Sequence, residues 1–168
     1  MIRRICGVLV LVILVTTVGC GRKNVAMAEK KVFSAEGMQI TLTEAFSKSE
    51  MEGYTACFDS REVAVFVLKE PFSLGEGLNE LSLDDYAQMV LEANSSKSAD
   101  RIEEIEGRPF MEYAFYNSDT KEEYTYLAAM YKGPDAFWMV QFSCRTGQYE
   151  QYRPFFLEWA KTVELVTA

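Results

Sequence analysis

From residue 38 to 42 the chain reads Met, Gln, Ile, Thr, Leu, the alternation of apolar and polar positions that a half-buried strand requires. Residues 54–59 and 63–69 follow as a strand pair joined by Ser60 and Arg61. In the second, Val63, Val65 and Val67 point one way while Ala64, Phe66 and Leu68 point the other. Both faces are apolar, which predicts a central strand with a layer packed on each side. Residues 71–81, with Gly75 and Gly77, read as a loop. Ser82 then stands three residues before Asp85, and Tyr86, Met89, Val90 and Ala93 recur at helical spacing, predicting a helix that ends near 94–97.

Four further strands are predicted over 101–106, 110–117, 122–132 and 136–145. The turn signals between them are Gly107-Arg108-Pro109, Ser118-Asp119-Thr120 and Gly133-Pro134-Asp135. Connections this short make antiparallel neighbours, hence a meander. A closing helix over 148–163 places Tyr149, Tyr152, Phe156, Trp159, Ala160 and Val163 on one face. Pro154 lies inside that stretch, so the regular helix is expected to begin only near Tyr152. Sheet, helix, sheet, helix in that order predicts an α+β sandwich, an antiparallel sheet with one helix on each face.

This arrangement resembles the PsbP-like group, the fold of the extrinsic photosystem II protein, of a Ran-binding nuclear import factor and of many small bacterial lipoproteins. The residues that carry the resemblance are Gly37-Met38-Gln39-Ile40-Thr41-Leu42, Gly107-Arg108-Pro109-Phe110 leading into an aromatic strand, and Phe137-Trp138-Met139-Val140-Gln141-Phe142 before the last helix. These are fold features. The resemblance implies a non-catalytic binding or assembly factor and transfers no functional residue.

The N-terminus has a different texture. Arg3 and Arg4 precede an apolar run from Ile5 to Val18, the charged and hydrophobic regions of an export signal. As a helix that run would extend about 21 Å, short of the ~30 Å hydrocarbon core of a bilayer. Thr17-Val18-Gly19-Cys20 resembles the bacterial lipobox, although Thr17 stands where Leu is usual. The expected organisation is a signal at 1–19, a lipidated N-terminus and linker at 20–31, and one globular domain at 32–168. Acyl chains of the palmitate kind on Cys20 would tether the domain to the cell membrane at its extracytoplasmic face, each buried CH₂ contributing about 0.8 kcal/mol. The rival is Ala26-Met27-Ala28, an ordinary secretory cleavage site lying beyond Arg22 and Lys23.

Charge and composition narrow the chemistry. The 168 residues hold 25 acidic and 17 basic side chains, a formal charge of −8, and the leader would remove two of the basic ones. No clustered Lys or Arg is available to neutralise phosphates, which argues against nucleic acid as a partner. Histidine is absent from the chain, so the usual neutral-pH general base is missing. No enzymatic activity, catalytic residue, cofactor or metal is therefore expected, and the partners expected are the bilayer and another envelope protein or a small ligand. A carboxylate-dependent envelope hydrolase is the alternative.

Four constellations remain. Cys57 and Cys144 sit in predicted strands and form a possible disulfide, with two buried thiols as the plainer expectation. Tyr113, Phe115, Tyr116, Tyr124, Tyr126, Tyr131, Trp138 and Phe142 could line a glycan or apolar-ligand groove, or simply fill a core. Glu103, Glu104 and Glu106, with Glu122 and Glu123, could gather around a cation or face water. Glu76 and Asn79 are candidate partner contacts on the glycine-containing loop. If Cys20 carries the anchor, Cys20→Ser should move the protein from the membrane pellet to the soluble fraction or leave it as unprocessed precursor; normal processing and pelleting of that variant would refute lipidation.

Overall fold

Glu36 and Gly37, at φ 44° and 96°, close a two-residue turn, and Glu106 and Gly107, at 52° and 74°, close another. Left-handed backbone at both central positions suits the right-handed twist of the strands entering such turns. The first joins β1 (Lys30–Ala35) to β2 (Met38–Thr43), and the second joins β6 (Glu103–Ile105) to β7 (Arg108–Asn117). The structure is a computed structural model and describes residues 25–93 and 101–166. The expected signal and Cys20 lie outside the described residues.

Between these hairpins run β3 (Ser47–Ser49), β4 (Ala56–Asp59), β5 (Val63–Pro71) and the helix α1 (Leu83–Ala93). After them come β8 (Glu122–Lys132), β9 (Ala136–Arg145), the helix α2 (Tyr149–Lys161) and β10 (Glu164–Leu165). Among the described residues, one sheet of seven strands has the order β3-β4-β5-β9-β8-β7-β6, and a smaller one has the order β1-β2-β10. Every pairing is antiparallel. The expected meander is β6 to β9, and β9 closes it onto the N-terminal half through β5.

The two faces of the large sheet are covered unequally. On one face Val63, Val65 and Val67 of β5, Met38, Ile40 and Leu42 of β2, and Tyr152, Phe156 and Trp159 of α2 share a single apolar core. On the other, Tyr86 and Ala87 of α1 pack over Met111, Ala128, Met130 and Phe137. The Tyr86 ring stacks on Phe137 at 4.1 Å and its hydroxyl donates to the Glu70 carboxylate, which pins α1 near the end of β5. The sandwich expected from the sequence is present, with a small second sheet added on the α2 side.

Three expectations are corrected. The linker does not run to residue 31: Val25 is buried, its carbonyl accepts the Thr43 hydroxyl at 2.6 Å, and Lys30 and Lys31 already belong to β1. The closing helix begins at Tyr149 despite Pro154, because burial of Tyr149 and a Tyr152 hydroxyl bond to Glu62 at 2.6 Å outweigh a lost bond to an exposed turn. The third concerns β5. Its valine face is fully packed, but Ala64, Phe66 and Leu68 are only half-buried, since α1 lies over β7 and β8 instead.

Phe156 is wholly buried and touches the rings of Phe142, Tyr152 and Trp159. Phe156→Ala should lower unfolding stability by about 3–5 kcal/mol in urea titration. Trp138 and Trp159, both buried, should report it as one blue-to-red emission shift; native emission already at the red position would contradict the packing.

Candidate functional site

Alternation along each strand sends every second side chain to the α1 side of the large sheet, and beyond the reach of α1 those side chains form, among the described residues, an open groove. Registered pairs identify its floor: Phe66 stands opposite Gln141, and Gln141 opposite Ala128. One step along the strands, Ala64 stands opposite Ser143, Ser143 opposite Tyr126, and Tyr126 opposite Tyr113. Side chains facing each other across antiparallel strands share a face. Tyr54, just before β4, joins them from the side.

Four rings form a row across this floor. Tyr54 and Phe66 are 5.1 Å apart, Phe66 and Tyr126 are 6.4 Å apart, and Tyr126 and Tyr113 stack at 5.0 Å with planes 3° apart. An inner hollow of about 260 Å³ lies between this row and Val90 of α1. It continues past Tyr54 and Tyr126 into an outer trough of about 710 Å³, whose far end is bordered by Arg61, Asn117, Arg145 and Gln148. Together they fall in the size range of small-molecule sites.

The polar groups of the floor are neutral. Gln141 and Ser143 are 6% and 4% exposed, and the Gln141 amide oxygen accepts the Tyr113 hydroxyl at 2.8 Å. Burial, with Tyr126 and Tyr54 nearby, raises the Tyr113 phenol above its ordinary value, and burial with Tyr126 and Cys57 does the same for Tyr54. Both therefore stay protonated donors at neutral pH. Burial also raises the Cys57 thiol, with Asp59 adding to the effect, so no thiolate nucleophile is prepared there.

The sequence candidates are distributed as follows. Cys57 pairs with Phe66 and shares the groove face, whereas Cys144 pairs with Val63 and lies in the core on the opposite face. They are on strands two apart in the sheet, roughly 10 Å, beyond the reach of a disulfide. Both are free and buried, and burial pushes the Cys144 thiol up to about 11. The possible disulfide is thus replaced by two separate thiols.

The aromatic set divides by parity. Tyr113 and Tyr126 line the groove, while Tyr131, Trp138 and Phe142 belong to the α2-side core. The acidic set is not assembled: Glu103 stands level with Phe110 and Glu122 with Asn117, about 23 Å apart along β7. Glu103 pairs with Arg101 at 2.6 Å, Glu106 with Lys161 at 3.7 Å, and Glu122 with Arg145 at 2.9 Å. Glu76 and Asn79 are exposed on the loop at the other end of β5, where Lys132 donates to the Asn79 carbonyl at 3.0 Å. Among the described residues no three acidic or cysteine side chains are gathered as a metal site would need.

Tyr54, Phe66, Gln141 and Ser143 escaped the sequence reading. One signal could have found them: along one parity of β9 the residues run Phe137, Met139, Gln141, Ser143, from apolar to polar, which marks where the covering helix stops.

With this geometry in hand, comparison with known proteins defines the class. No family model matches the chain, and no curated protein sequence matches it. Solved structures do. The cyanobacterial PsbP (CyanoP) of Synechocystis sp. PCC 6803 superposes with TM-score 0.51 at 11% identity, covering 87% of this chain and 96% of that one. A variant of the protein Mog1 gives TM-score 0.52 at 11% identity, with 83% and 97% covered. A crystal structure from Bacteroides thetaiotaomicron gives 0.51 at 13% identity, covering 83% of this chain and 49% of that one. The fold is therefore an α+β fold of the PsbP and Mog1 kind. At such identities the likeness concerns the fold alone.

The tyrosines carry a pH signature. Their folded pKa lies above the unfolded value near 10, so the stability they contribute is complete below pH ~10 and is lost as pH rises through the folded value. Phenolate absorbance of Tyr113→Phe should differ from the parent only above the ordinary tyrosine range. A difference already present near pH 10 would contradict the buried floor.

Proposed function

We propose that this chain is a membrane-tethered extracytoplasmic lipoprotein whose PsbP-like domain is a non-catalytic binding or assembly module. The observation that carries the reading is the half-bare sheet face, a preformed concave surface of aromatic and neutral polar side chains on a rigid scaffold. The PsbP-like resemblance, which implies binding and assembly factors, supports it at the level of fold. So does the chemistry of the groove, where the tyrosines and thiol described above are held in their neutral forms and histidine is absent from the chain.

Lipidation at Cys20 fits the folded boundary better than secretory cleavage does. Cleavage after Ala28 would remove Val25, a core residue whose carbonyl is bonded to Thr43. From Cys20 to Val25 the chain can span at most about 18 Å, so the tether holds the domain close to the bilayer. The groove is the principal contact surface, and the loop bearing Glu76 and Asn79 is a second.

A photo-crosslinking residue placed at Phe66, and separately at Glu76 and at Asn79, in the native envelope tests the assignment. Reproducible capture of one envelope component from position 66 is expected. Capture from the loop positions alone would remove the groove from the contact. Turnover of an envelope polymer or ester by the purified protein, abolished by substituting one carboxylate, would overturn the non-catalytic class in favour of a hydrolase.

A further inference from the structure

We infer that the groove takes a neutral saccharide, seated over the rings of Phe66 and Tyr126 with its hydroxyls on Gln141 and Ser143. The inference rests on the binding-module reading and names its ligand. Two polar side chains open onto the groove with hydrogen-bonding capacity to spare. The Ser143 hydroxyl makes no hydrogen bond among the described residues, and the Gln141 amide nitrogen makes none either, its carbonyl alone being engaged by Tyr113. Each lines one of the two connected hollows. Both atoms open onto the hollows and are not sealed from solvent, so a ligand's hydroxyls can take the place of the water they meet.

Charge selects the class of that ligand. The floor between Phe66 and Tyr113 carries no ionisable side chain other than protonated tyrosine and thiol, in a chain that is one-quarter charged. The cations of the trough, Arg61 and Arg145, border its far end, where Glu62 stands beside them and Arg145 is paired with Glu122, so the floor itself offers a polyanion no cation. A quaternary ammonium needs ring faces converging on a point, yet neighbouring ring planes in this row lie only 3° to 37° apart. A purely apolar ligand would leave the Gln141 amide and the Ser143 hydroxyl unsatisfied.

A peptide adding itself as a strand needs a free backbone edge, and β5, β9, β8 and β7 are all internal strands of the sheet. A saccharide has what remains: no charge, apolar C–H faces for the rings, and hydroxyls that both donate and accept. Asn117 and Gln148 add neutral polar groups to the outer trough beside Arg61, Glu62 and Arg145, and its volume gives room for a second sugar.

The test uses the full-length protein in a non-glycosidic detergent with β-linked trisaccharides of N-acetylglucosamine and of glucose as probes. Saturation-transfer NMR should show contact with sugar ring protons, and calorimetry should give a dissociation constant on the order of millimolar to micromolar. Ser143→Ala, nearly isosteric, should weaken binding about fivefold, Phe66→Ala by about tenfold, and Glu76→Ala not at all. Absence of transfer from both trisaccharides overturns the assignment, as does transfer undiminished in both groove variants. Binding of a neutral tyrosine-containing peptide, with neither sugar bound, would give the groove to a protein partner and leave the binding-module reading standing. Cleavage of a trisaccharide on incubation would instead overturn the non-catalytic reading while keeping the ligand class.

Discussion

Everything in this molecule hangs on the pairing of β5 with β9, an unbroken register from Val63 opposite Cys144 to Pro71 opposite Ala136. It is the seam between the N-terminal strands and the C-terminal meander, and it closes a loop of more than sixty residues. Closing a chain segment of that length costs entropy that only extensive burial offsets. Here the offset comes from the valines of β5, which enter one core with α2 and the small sheet. The same register decides the chemistry of the opposite face, because it sets Phe66 beside Gln141 and keeps Cys57 away from Cys144.

Among the described residues, how much of that opposite face α1 covers follows from lengths. α1 has eleven residues, about 16 Å of helix, whereas the strands beneath are up to eleven residues long and seven of them lie side by side. A helix pinned at its N-terminal half by Tyr86, stacked on Phe137 and bonded to Glu70, borders the groove at Val90. The strand sequences follow this boundary. Beneath the helix the inward positions are Met111, Ala128, Met130 and Phe137; beyond it they become Tyr113, Tyr126, Gln141 and Ser143.

Local pattern was a good guide wherever the cause is local. Alternation located β2, β5, β7, β8 and β9, helical spacing located α1, and the turn at Gly107 marked the β6–β7 hairpin. It failed where the cause is a distant neighbour. β1 begins with Lys30 and Lys31 and is exposed along its first three residues, so nothing in its own composition separates it from a linker; β2 makes it a strand. β3, Ser-Lys-Ser, is an edge strand defined only by β4. The groove was half legible: Tyr113 and Tyr126 were visible as strand aromatics, but Phe66 appeared to belong to a doubly covered strand. Its exposure depends on where α1 stops across the sheet, a fact that no window around Phe66 contains.

On the proposed binding reading, the unequal faces divide stability from recognition. The α2 side holds rings and aliphatic side chains in mutual contact, with the Tyr131 hydroxyl satisfied at 2.8 Å by the Ala160 carbonyl. Replacing Gln141 by an apolar residue would take away the acceptor of the Tyr113 hydroxyl, whereas Ser143 opens onto the groove with its hydroxyl unengaged. On the proposed binding reading, these neutral polar groups at the floor of a concave, aromatic surface are the ones a ligand would meet. A domain whose core on one side suffices for stability is free to keep the other side imperfectly packed, and that imperfection is what leaves hydrogen-bonding groups in reach of a ligand.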